Sequence, residues 1–265
     1  MKDKVVIITG ASSGIGLALA LEFARRGAKL VLASRSGVSD PALYKLSTEI
    51  LDVRTDVTKE SDCEALIQKA IEKFGRIDIL VNNAGISMRA LFVEVKLDVL
   101  RRVMDTNFWG TVYCTKAAIP YLLESRGSLV GVSSIAGYKG LPARSGYSAS
   151  KFAMQGFLEV VRIENLKKGL HVLIACPGFT ASNIRNVALS KDGTSQGETP
   201  LDESKLMTSE EVARRIVHAI EKKKDRLILT SQGKLTVLLN KFFPKLTEKL
   251  VYNHMAKEPD SPLNR

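Results

Sequence analysis

Short apolar runs alternate with longer amphipathic segments along most of the chain. Helices are predicted where apolar residues recur at helical spacing, at 14–26, 60–74, 97–124, 147–168 and 209–223. Strands are predicted at seven short apolar runs: 5–8, 30–33, 49–53, 77–81, 128–132, 171–175 and 227–229. Strands that are apolar at consecutive positions are buried on both faces, as in a parallel sheet between two helical layers. The pattern therefore predicts a single α/β domain with a doubly wound, mostly parallel sheet and helices on both faces.

Two segments depart from this alternation. The polar stretch 178–206 contains Gly193, Gly197 and Pro200 and is too long for a plain connection, which predicts a mobile lid over the substrate. In the basic tail, Pro244 is expected to kink or split a helix whose apolar positions are Leu235, Leu238, Leu239, Phe242, Phe243, Leu246 and Leu250. We therefore divide the chain into a main domain, 1–233, and an amphipathic basic C-terminal extension, 234–265.

The composition is that of a folded globular protein, with 45% hydrophobic and 25% charged residues, which excludes wholesale disorder and collagen-like repeats. No apolar run approaches the 18 or so residues that a membrane-spanning helix needs. The predicted first strand follows Met1 almost directly, so we expect no signal peptide. Three widely spaced cysteines suggest neither a disulfide framework nor a metal site, and the scattered histidines are interpreted as structural. We expect a cytoplasmic protein.

The net charge of +11 is concentrated near the C-terminus. Residues 205–257 hold twelve Lys and Arg against five Asp and Glu. A nucleic-acid-binding face over the body of the protein is therefore the weaker interpretation, and no nucleic-acid partner is expected.

A glycine-rich loop, Thr9-Gly10-Ala11-Ser12-Ser13-Gly14-Ile15-Gly16, connects the predicted first strand to the first helix. Glycines allow a tight turn and close approach of a pyrophosphate, whose charge the free amides of the helix N-terminus attract. A glycine-rich turn without a ligand is the alternative, but the strand–loop–helix context favours dinucleotide binding.

Tyr147 and Lys151 are separated by one helical turn, so their side chains share a face. A lysine ammonium about 4 Å away stabilises a phenolate by about 4 kcal/mol at an effective dielectric near 20, which lowers the phenol pKa before desolvation offsets part of the effect. Tyr147 then exchanges a proton with a carbonyl oxygen. Ser133 and Ser134 follow a predicted strand, and a serine hydroxyl there can hydrogen-bond that oxygen; the family resemblance described next selects Ser134. A helix-surface pair is the alternative.

These motifs, in this order, resemble the short-chain dehydrogenase/reductase family, in its roughly 250-residue branch, over residues 4–230. The motifs that carry the resemblance are Thr-Gly-x-x-x-Gly-x-Gly, Asp56-Val57, Asn82-Asn83-Ala84-Gly85, Asn107, Ser134, Tyr147-x-x-x-Lys151 and Pro177-Gly178. The resemblance implies a Rossmann-type fold, nicotinamide-dependent interconversion of alcohols and carbonyls, and a catalytic set of Asn107, Ser134, Tyr147 and Lys151. The cofactor-binding residues it implies are Gly10, Ser12, Ser13, Gly14, Ile15, Gly16, Ser34, Arg35, Asp56, Val57, Asn83, Ala84, Gly85, Tyr147, Lys151, Pro177, Gly178 and Thr180.

The cofactor is expected to be NADP(H) rather than NAD(H). Ser34 stands where NAD-binding members carry an acid for the ribose hydroxyls, and Arg35 follows it. A guanidinium pairs with a 2′-phosphate, which an acid would repel. Ser13 stands where many NADP-binding members carry a second basic residue. A solvated arginine at a strand end is the alternative.

Asn107 lies on an apolar helix stripe, where its amide either ties the helix to a neighbour or, as in the family, holds a water that relays protons from Lys151. The tail is expected to dock on its own domain, form a substrate mouth, contact a second subunit, or touch an anionic membrane through 234–255.

The sequence thus predicts an NADP(H)-dependent oxidoreductase that acts on a hydrophobic, lipid- or steroid-like carbonyl or alcohol. A homodimer or homotetramer is expected. The alternative function is a catalytically idle NADP(H)-binding regulatory module of the same fold.

Overall fold

A computed structural model describes residues 1–46, 48–197, 199, 204 and 206–264. Within these residues seven parallel strands form the central sheet. In order across the sheet they are β3 (Ile50–Arg54), β2 (Lys29–Ser34), β1 (Val5–Thr9), β4 (Ile79–Asn82), β5 (Ser128–Val132), β6 (His171–Cys176) and β9 (Arg226–Ile228). The order reverses direction between β1 and β4, and ligands of doubly wound sheets bind at the carboxyl ends of the strands beside such a reversal. The predicted doubly wound fold is confirmed.

Helices cover both faces of this sheet. They are α1 (Gly14–Arg25), α2 (Pro41–Tyr44), α3 (Glu60–Phe74), α4 (Leu97–Met104), α5 (Gly110–Glu124), α6 (Ser145–Glu164), α7 (Ser209–Glu221), α8 (Ser231–Phe242) and α9 (Pro244–Ala256). Alternate residues of β1 explain the two layers: Val6 and Ile8 pack toward α1 and α7, whereas Val5 and Ile7 pack toward α3, α5 and α6. Both sets are fully buried, as the consecutive apolar positions predict.

The long helix predicted over 97–124 is interrupted. Residues Asp105–Trp109 form a π-helical turn between α4 and α5. The wider turn holds the buried Asn107, whose amide bonds groups outside the helix. Hydrophobic periodicity does not detect one turn of altered pitch, because the apolar stripe continues through it.

The predicted lid begins with β7 (Thr180–Ala181), which pairs in parallel with β8 (Met207–Thr208) at the far end of the segment. Between them, the main chain of Leu189 bonds Ser87 and Arg89 on the loop after β4. Positions 198, 200–203 and 205 of this segment lie outside the described residues. Its described part is attached to the loop after β4 through Leu189, and the mobility of the segment stays a prediction.

The tail folds back onto the domain as two helices. Pro244 is the first residue of α9, which confirms the predicted break, although α8 begins at Ser231 rather than 234. Gly233 lies so close to Ile135 that a Cβ there would be 2.8 Å from the Ile135 side chain, and Asn240 donates to the Tyr138 carbonyl at 3.1 Å. In the described part of the chain, none of the helices combines the length and apolar character that crossing a bilayer requires.

Candidate active site

The glycine-rich loop after β1 is packed too tightly for side chains. Gly10 and Gly14 adopt φ of +67° and +54°, a left-handed conformation that favours glycine. A Cβ on Gly16 would lie 2.1 Å from the Gly10 carbonyl oxygen, and one on Gly10 would lie 2.8 Å from the Ala84 Cα. The loop therefore presents bare backbone at the carboxyl end of β1.

The N-terminus of α1 is open for an anion. Ser13 is the N-cap residue, but its side chain makes no capping hydrogen bond, and the first turn holds no acidic residue. Ser12 and Ser13 are exposed beside it, and Gly14 and Ile15 are partly exposed. Uncapped amides at the positive end of the helix dipole attract a phosphate group. The loop thus fits the pyrophosphate of a dinucleotide.

Replacing Gly16 with alanine is expected to weaken NADPH binding at least about tenfold, because the new methyl group displaces the Gly10 carbonyl and reshapes the loop. The matched control is Gly156→Ala on α6, where a Cβ meets nothing within 4 Å. That control should raise the free energy of unfolding by roughly 0.5–1 kcal/mol and leave NADPH affinity unchanged. Fluorescence titration with NADPH measures both variants, and wild-type affinity in Gly16→Ala would refute the role of the loop.

The ends of β3 and β4 border the loop. Asn83 donates from its side chain to the carbonyls of Thr9 and Gly10 at 2.9 and 3.2 Å, so it ties β4 to the loop. Asp56 accepts from the Thr58 main chain and hydroxyl, which makes it a turn residue. Val57 packs on Gly110, where a Cβ would lie 2.8 Å from its methyl. Asp56 and Asn83 therefore make hydrogen bonds that stabilise the loops around the glycine-rich loop, in addition to any contact with a nucleotide.

Ser34 and Arg35 lie at the carboxyl end of β2, close to the glycine-rich loop: the Ala11 amide bonds the Ala33 carbonyl. The Ser34 hydroxyl is buried without a hydrogen-bond partner in the described residues. Arg35 is exposed. An unpaired buried hydroxyl beside an exposed guanidinium fits an anionic or hydroxylated ligand group.

Ser134, Tyr147 and Lys151 converge at the carboxyl end of β5. Ser134 starts a short 3₁₀ turn and accepts the Ala136 amide at 3.1 Å. Tyr147 and Lys151 share one face of α6, with the Lys151 ammonium 5.7 Å from the Tyr147 ring centre. Lys151 is 3% exposed, and its Nζ donates to the Val132 carbonyl at 2.9 Å. The three side chains that the sequence singles out are thus brought together.

Burial dominates the electrostatics of this group. It raises the pKa of the Tyr147 phenol, while a hydrogen bond with Ser134 and the nearby Arg144 charge act in the opposite direction. Burial also lowers the pKa of Lys151 to about 8. Burial thus outweighs the groups that lower this pKa, and the expectation that Lys151 makes the phenol acidic stays a prediction. Tyr147 is protonated at neutral pH.

Asn107 is fully buried and its side-chain amide is engaged. The amide donates to the Ile86 carbonyl and to the Ser150 hydroxyl at 3.0 and 2.9 Å, and its oxygen accepts the Ile86 amide at 2.8 Å. These bonds tie the π-helical turn to α6. The same oxygen and the Lys151 ammonium both border Gly85, where a Cβ would lie 3.1 and 3.6 Å from them.

A cavity of about 360 Å³ opens above Ser134 and Tyr147. One wall is the start of the lid, at Gly178, Phe179 and Thr180, and the other is the tail. The apolar lining residues are Ile135, Leu141, Phe179, Ile184, Leu235, Leu239, Leu250, Val251 and Met255. The tail therefore forms one wall of this cavity, as the substrate-mouth alternative requires, and its role toward a substrate stays a prediction.

The segment after β6 joins the cavity to the glycine-rich loop. The Pro177 carbonyl accepts the Ile135 amide, and the Thr180 hydroxyl donates to the Gly178 carbonyl at 3.2 Å. A Cβ on Gly14 would be 3.5 Å from the Ser182 side chain. A ligand that contacts both the helix N-terminus and Tyr147 must pass this segment.

Three residues of the site escaped sequence reasoning. Arg144 lines the cavity just before α6, and Phe179 packs on His254 of α9 with ring centres 6.1 Å apart. No local pattern marks them, since each acquires its role through contacts with distant segments.

Comparison with known proteins agrees with this geometry. A family model described as short chain dehydrogenase matches residues 4–192. An Arabidopsis thaliana protein named 11-beta-hydroxysteroid dehydrogenase 1A is 36% identical over 99% of this chain and 79% of its own length. Dehydrogenase/reductase SDR family member 7B of Xenopus tropicalis is also 36% identical, over 97% of this chain and 87% of its own length.

Two solved structures at 26% identity share the fold. A short chain dehydrogenase/reductase of Burkholderia phymatum in complex with NAD superposes with a TM-score of 0.81 over 92% of this chain and 95% of that one. An alcohol dehydrogenase of the archaeon Thermococcus sibiricus complexed with 5-hydroxy-NADP superposes with a TM-score of 0.72 over 85% of this chain and 94% of that one. With its glycine-rich loop, its parallel sheet and the Ser134, Tyr147 and Lys151 group, the chain belongs to the short-chain dehydrogenase/reductase family and acts on CH–OH groups.

Proposed function

We propose that the protein interconverts a carbonyl and a secondary alcohol on a hydrophobic substrate, with NADP(H) as cofactor and Tyr147 as general acid and base. The observation that carries the proposal is that Ser134 and Tyr147 both line a largely apolar cavity, beside the buried Lys151. The names of the hydroxysteroid dehydrogenase relatives support a substrate of steroid-like character. A cavity of about 360 Å³ suits a ligand of that size.

The residues divide the work of proton transfer. Ser134 hydrogen-bonds the carbonyl oxygen and holds it against Tyr147. Because burial keeps the phenol protonated at neutral pH, Tyr147 donates its proton to that oxygen during reduction. A nicotinamide cofactor supplies the hydride when bound. The phenolate left behind is stabilised by Ser134 and by the positive charges of Lys151 and Arg144.

Asn107 is proposed to support reprotonation of this group. Its position beside Lys151 at Gly85 supports a water held between them that passes protons from the ammonium. The buried π-helical turn fixes that position, since the Asn107 amide is bonded on both sides.

The cofactor is proposed to bind along the carboxyl ends of the strands. Gly10, Gly14 and Gly16, with Ser12, Ser13 and Ile15, hold the pyrophosphate. The adenosine side is assigned to Ser34, Arg35, Asp56, Val57, Asn83, Ala84 and Gly85, and the nicotinamide side to Tyr147, Lys151, Pro177, Gly178 and Thr180. The two related structures contain an NADP derivative and NAD, so the preference for NADP rests on Ser34 and Arg35 alone.

Arg35→Asp is expected to change the NADPH-to-NADH ratio of kcat/KM by about 10- to 100-fold in favour of NADH. The substitution removes a guanidinium and adds a charge that repels the 2′-phosphate. Lys69→Asp, the same charge change at an exposed position of α3, is the control and should leave the ratio unaltered. Steady-state rates with both nucleotides decide the matter, and an unchanged ratio in Arg35→Asp would discard the assignment.

The experiment that tests the proposed function is a screen of NADPH oxidation against aliphatic, steroid and sphingoid ketones. Saturable turnover of at least one class is expected. The alternative, an idle NADP(H)-binding module, predicts NADPH binding without turnover of any of them. The complete Ser134, Tyr147 and Lys151 set favours the enzyme, because a sensor needs only the glycine-rich loop.

We further propose two partners. Exposed apolar side chains on the outer faces of the π-helical turn and α6 support a homodimer or homotetramer; they are Trp109, Phe152, Val160 and Ile163. A second exposed apolar face on α8 and α9 lies among Lys234, Lys241, Lys245 and Lys249, which supports contact of 234–255 with an anionic membrane surface. The free, buried cysteines fit a reducing compartment, so we propose a cytoplasmic, membrane-peripheral location.

The double variant Phe242→Glu, Phe243→Glu is expected to reduce binding to phosphatidylcholine–phosphatidylserine vesicles at least about tenfold, because two side chains 62% and 58% exposed become acidic. The control is Ile163→Glu on α6, which is 63% exposed. It should keep vesicle binding and weaken self-association instead. Vesicle sedimentation and light scattering give the two readouts, and wild-type sedimentation of the double variant would rule out this membrane surface. Deleting 234–265 is less informative, because the tail also walls the cavity.

A further inference from the structure

A buried ion cluster joins the end of the tail to the wall of the cavity. Glu258, just beyond α9, accepts hydrogen bonds on both carboxylate oxygens from the Nη2 nitrogen of Arg144, each at 3.0 Å. The same carboxylate lies 3.5 Å from the Arg89 guanidinium, which also donates to the Pro259 carbonyl at 2.6 Å. All three charged side chains are at least nine-tenths buried. Arg144 is thus paired with an acid that lies 114 residues further along the chain.

Arg144 has two faces. It precedes α6 and lines the cavity, three residues before Tyr147. Arg185 is the second arginine of the lining, and it donates to the Thr180 carbonyl and the Thr199 hydroxyl. The Arg144 charge is close enough to the Tyr147 hydroxyl to favour the phenolate. On its other side, one guanidinium nitrogen, Nη2, donates to both carboxylate oxygens of Glu258. A substrate in the cavity therefore lies beside a cation that is already paired with a buried carboxylate.

An unpaired guanidinium in an apolar cavity is a strong receptor for carboxylates, because the charge pair forms with little competition from water. A guanidinium already paired with a buried carboxylate is not, since a second anion must lose its hydration and face the first. By pairing with Arg144, Glu258 thus weakens the binding of anionic substrates in the cavity, which an ion pair far from the cavity would not do.

We propose that Glu258 is a specificity-determining residue, whose carboxylate pairs with Arg144 and offsets its charge in the cavity wall, and so makes the site select uncharged carbonyl substrates over anionic ones. This inference rests on the proposed function, because it takes the cavity above Tyr147 as the substrate site. It adds a role for the chain end, which acts through Arg144 and does not itself touch the substrate.

The test uses two ketones of equal length, 2-decanone and 9-oxodecanoate, which differ by a terminal methyl or carboxylate. Calorimetry on the full chain with NADP⁺ present measures binding without turnover. The wild-type protein is expected to bind 2-decanone at least about tenfold more tightly than 9-oxodecanoate. In Glu258→Gln, the affinity ratio should move toward 9-oxodecanoate by at least about tenfold.

Three further variants separate specificity from structure. Glu258→Asp retains the charge and should restore most of the wild-type ratio. Arg144→Met combined with Glu258→Gln removes both charges and should return the ratio to the wild-type side. Glu248→Gln, at an exposed position of the same tail, breaks the ion pair of Glu248 with Lys139 at 3.2 Å and should leave the ratio unchanged.

The inference is overturned if Glu258→Gln weakens both ligands equally, or if its ratio stays within about twofold of wild type. It is also overturned if the wild-type protein binds 9-oxodecanoate as well as 2-decanone, a result that needs no variant to fold. Absence of NADPH oxidation with every ketone would count against the proposed function instead, because the binding ratio is measured independently of turnover.

Discussion

Replacing Tyr147 with phenylalanine is expected to lower kcat for ketone reduction by about 10²–10⁴-fold, the usual contribution of a positioned general acid. The change removes one oxygen and keeps the ring that packs beside Met88 and Val99, so the fold should be retained. NADPH affinity should change little, since the pyrophosphate site lies at the glycine-rich loop. Steady-state kinetics and NADPH titration of the same preparation measure both quantities.

Tyr138→Phe is the matched control for this experiment. Tyr138 is partly buried in the 3₁₀ turn after Ser134, and burial raises the pKa of its phenol as it does for Tyr147, but its side chain does not line the cavity. Its loss should leave kcat within a few-fold of wild type. Equal effects of the two substitutions would mean that the losses report packing rather than proton transfer.

Replacing Lys151 with methionine is expected to have opposite effects on activity and stability. Activity should fall at least about 10²-fold, because the phenolate loses a buried positive charge. Stability should rise at pH 7. Burial lowers the pKa of Lys151 to about 8 from 10.5, and a difference of that size corresponds to about 3 kcal/mol of cost for the ammonium in the folded state. Loss of its bond to the Val132 carbonyl offsets about 1 kcal/mol of the gain.

The pH dependence checks the cause. Between about pH 8 and 10.5 the unfolded chain retains the Lys151 proton and the folded chain does not, so wild-type stability rises with pH in this window. The penalty is fully present below pH 8. The advantage of Lys151→Met in thermal denaturation should therefore be largest at pH 7 and shrink toward pH 10. A variant less stable than wild type at pH 7 would show that the ammonium is compensated by a partner.

Much of the fold can be predicted from the sequence, because a strand that is buried on both faces appears as a run of consecutive apolar residues. Strand β5 matches its predicted bounds, as does helix α3, whose apolar stripe ends at Gly75 in a left-handed cap. The glycine-rich loop and the spacing from Tyr147 to Lys151 are likewise local. A single helical turn brings the latter pair together whatever the rest of the chain does.

The parts that escaped prediction depend on contacts between distant segments. In the π-helical turn, the Asn107 side chain donates to Ile86 and Ser150, and hydrophobic periodicity does not reveal these bonds. The raised pKa of Tyr147 is caused by burial, and its ring packs against residues from distant segments such as Met88 and Leu189, whereas the sequence offers only its spacing from Lys151. The pairing of Arg144 with Glu258 likewise requires α8 and α9 to fold back across the site.

The most direct test of the central claim is the fate of the hydride. The protein is incubated with a turned-over apolar ketone and NADPH that carries deuterium at the transferable nicotinamide position, and the product is analysed by mass spectrometry and NMR. The account predicts a secondary alcohol with one deuterium on the former carbonyl carbon, formed by wild type and nearly absent with Tyr147→Phe. An alcohol without deuterium, or equal labelled product from both proteins, would contradict it.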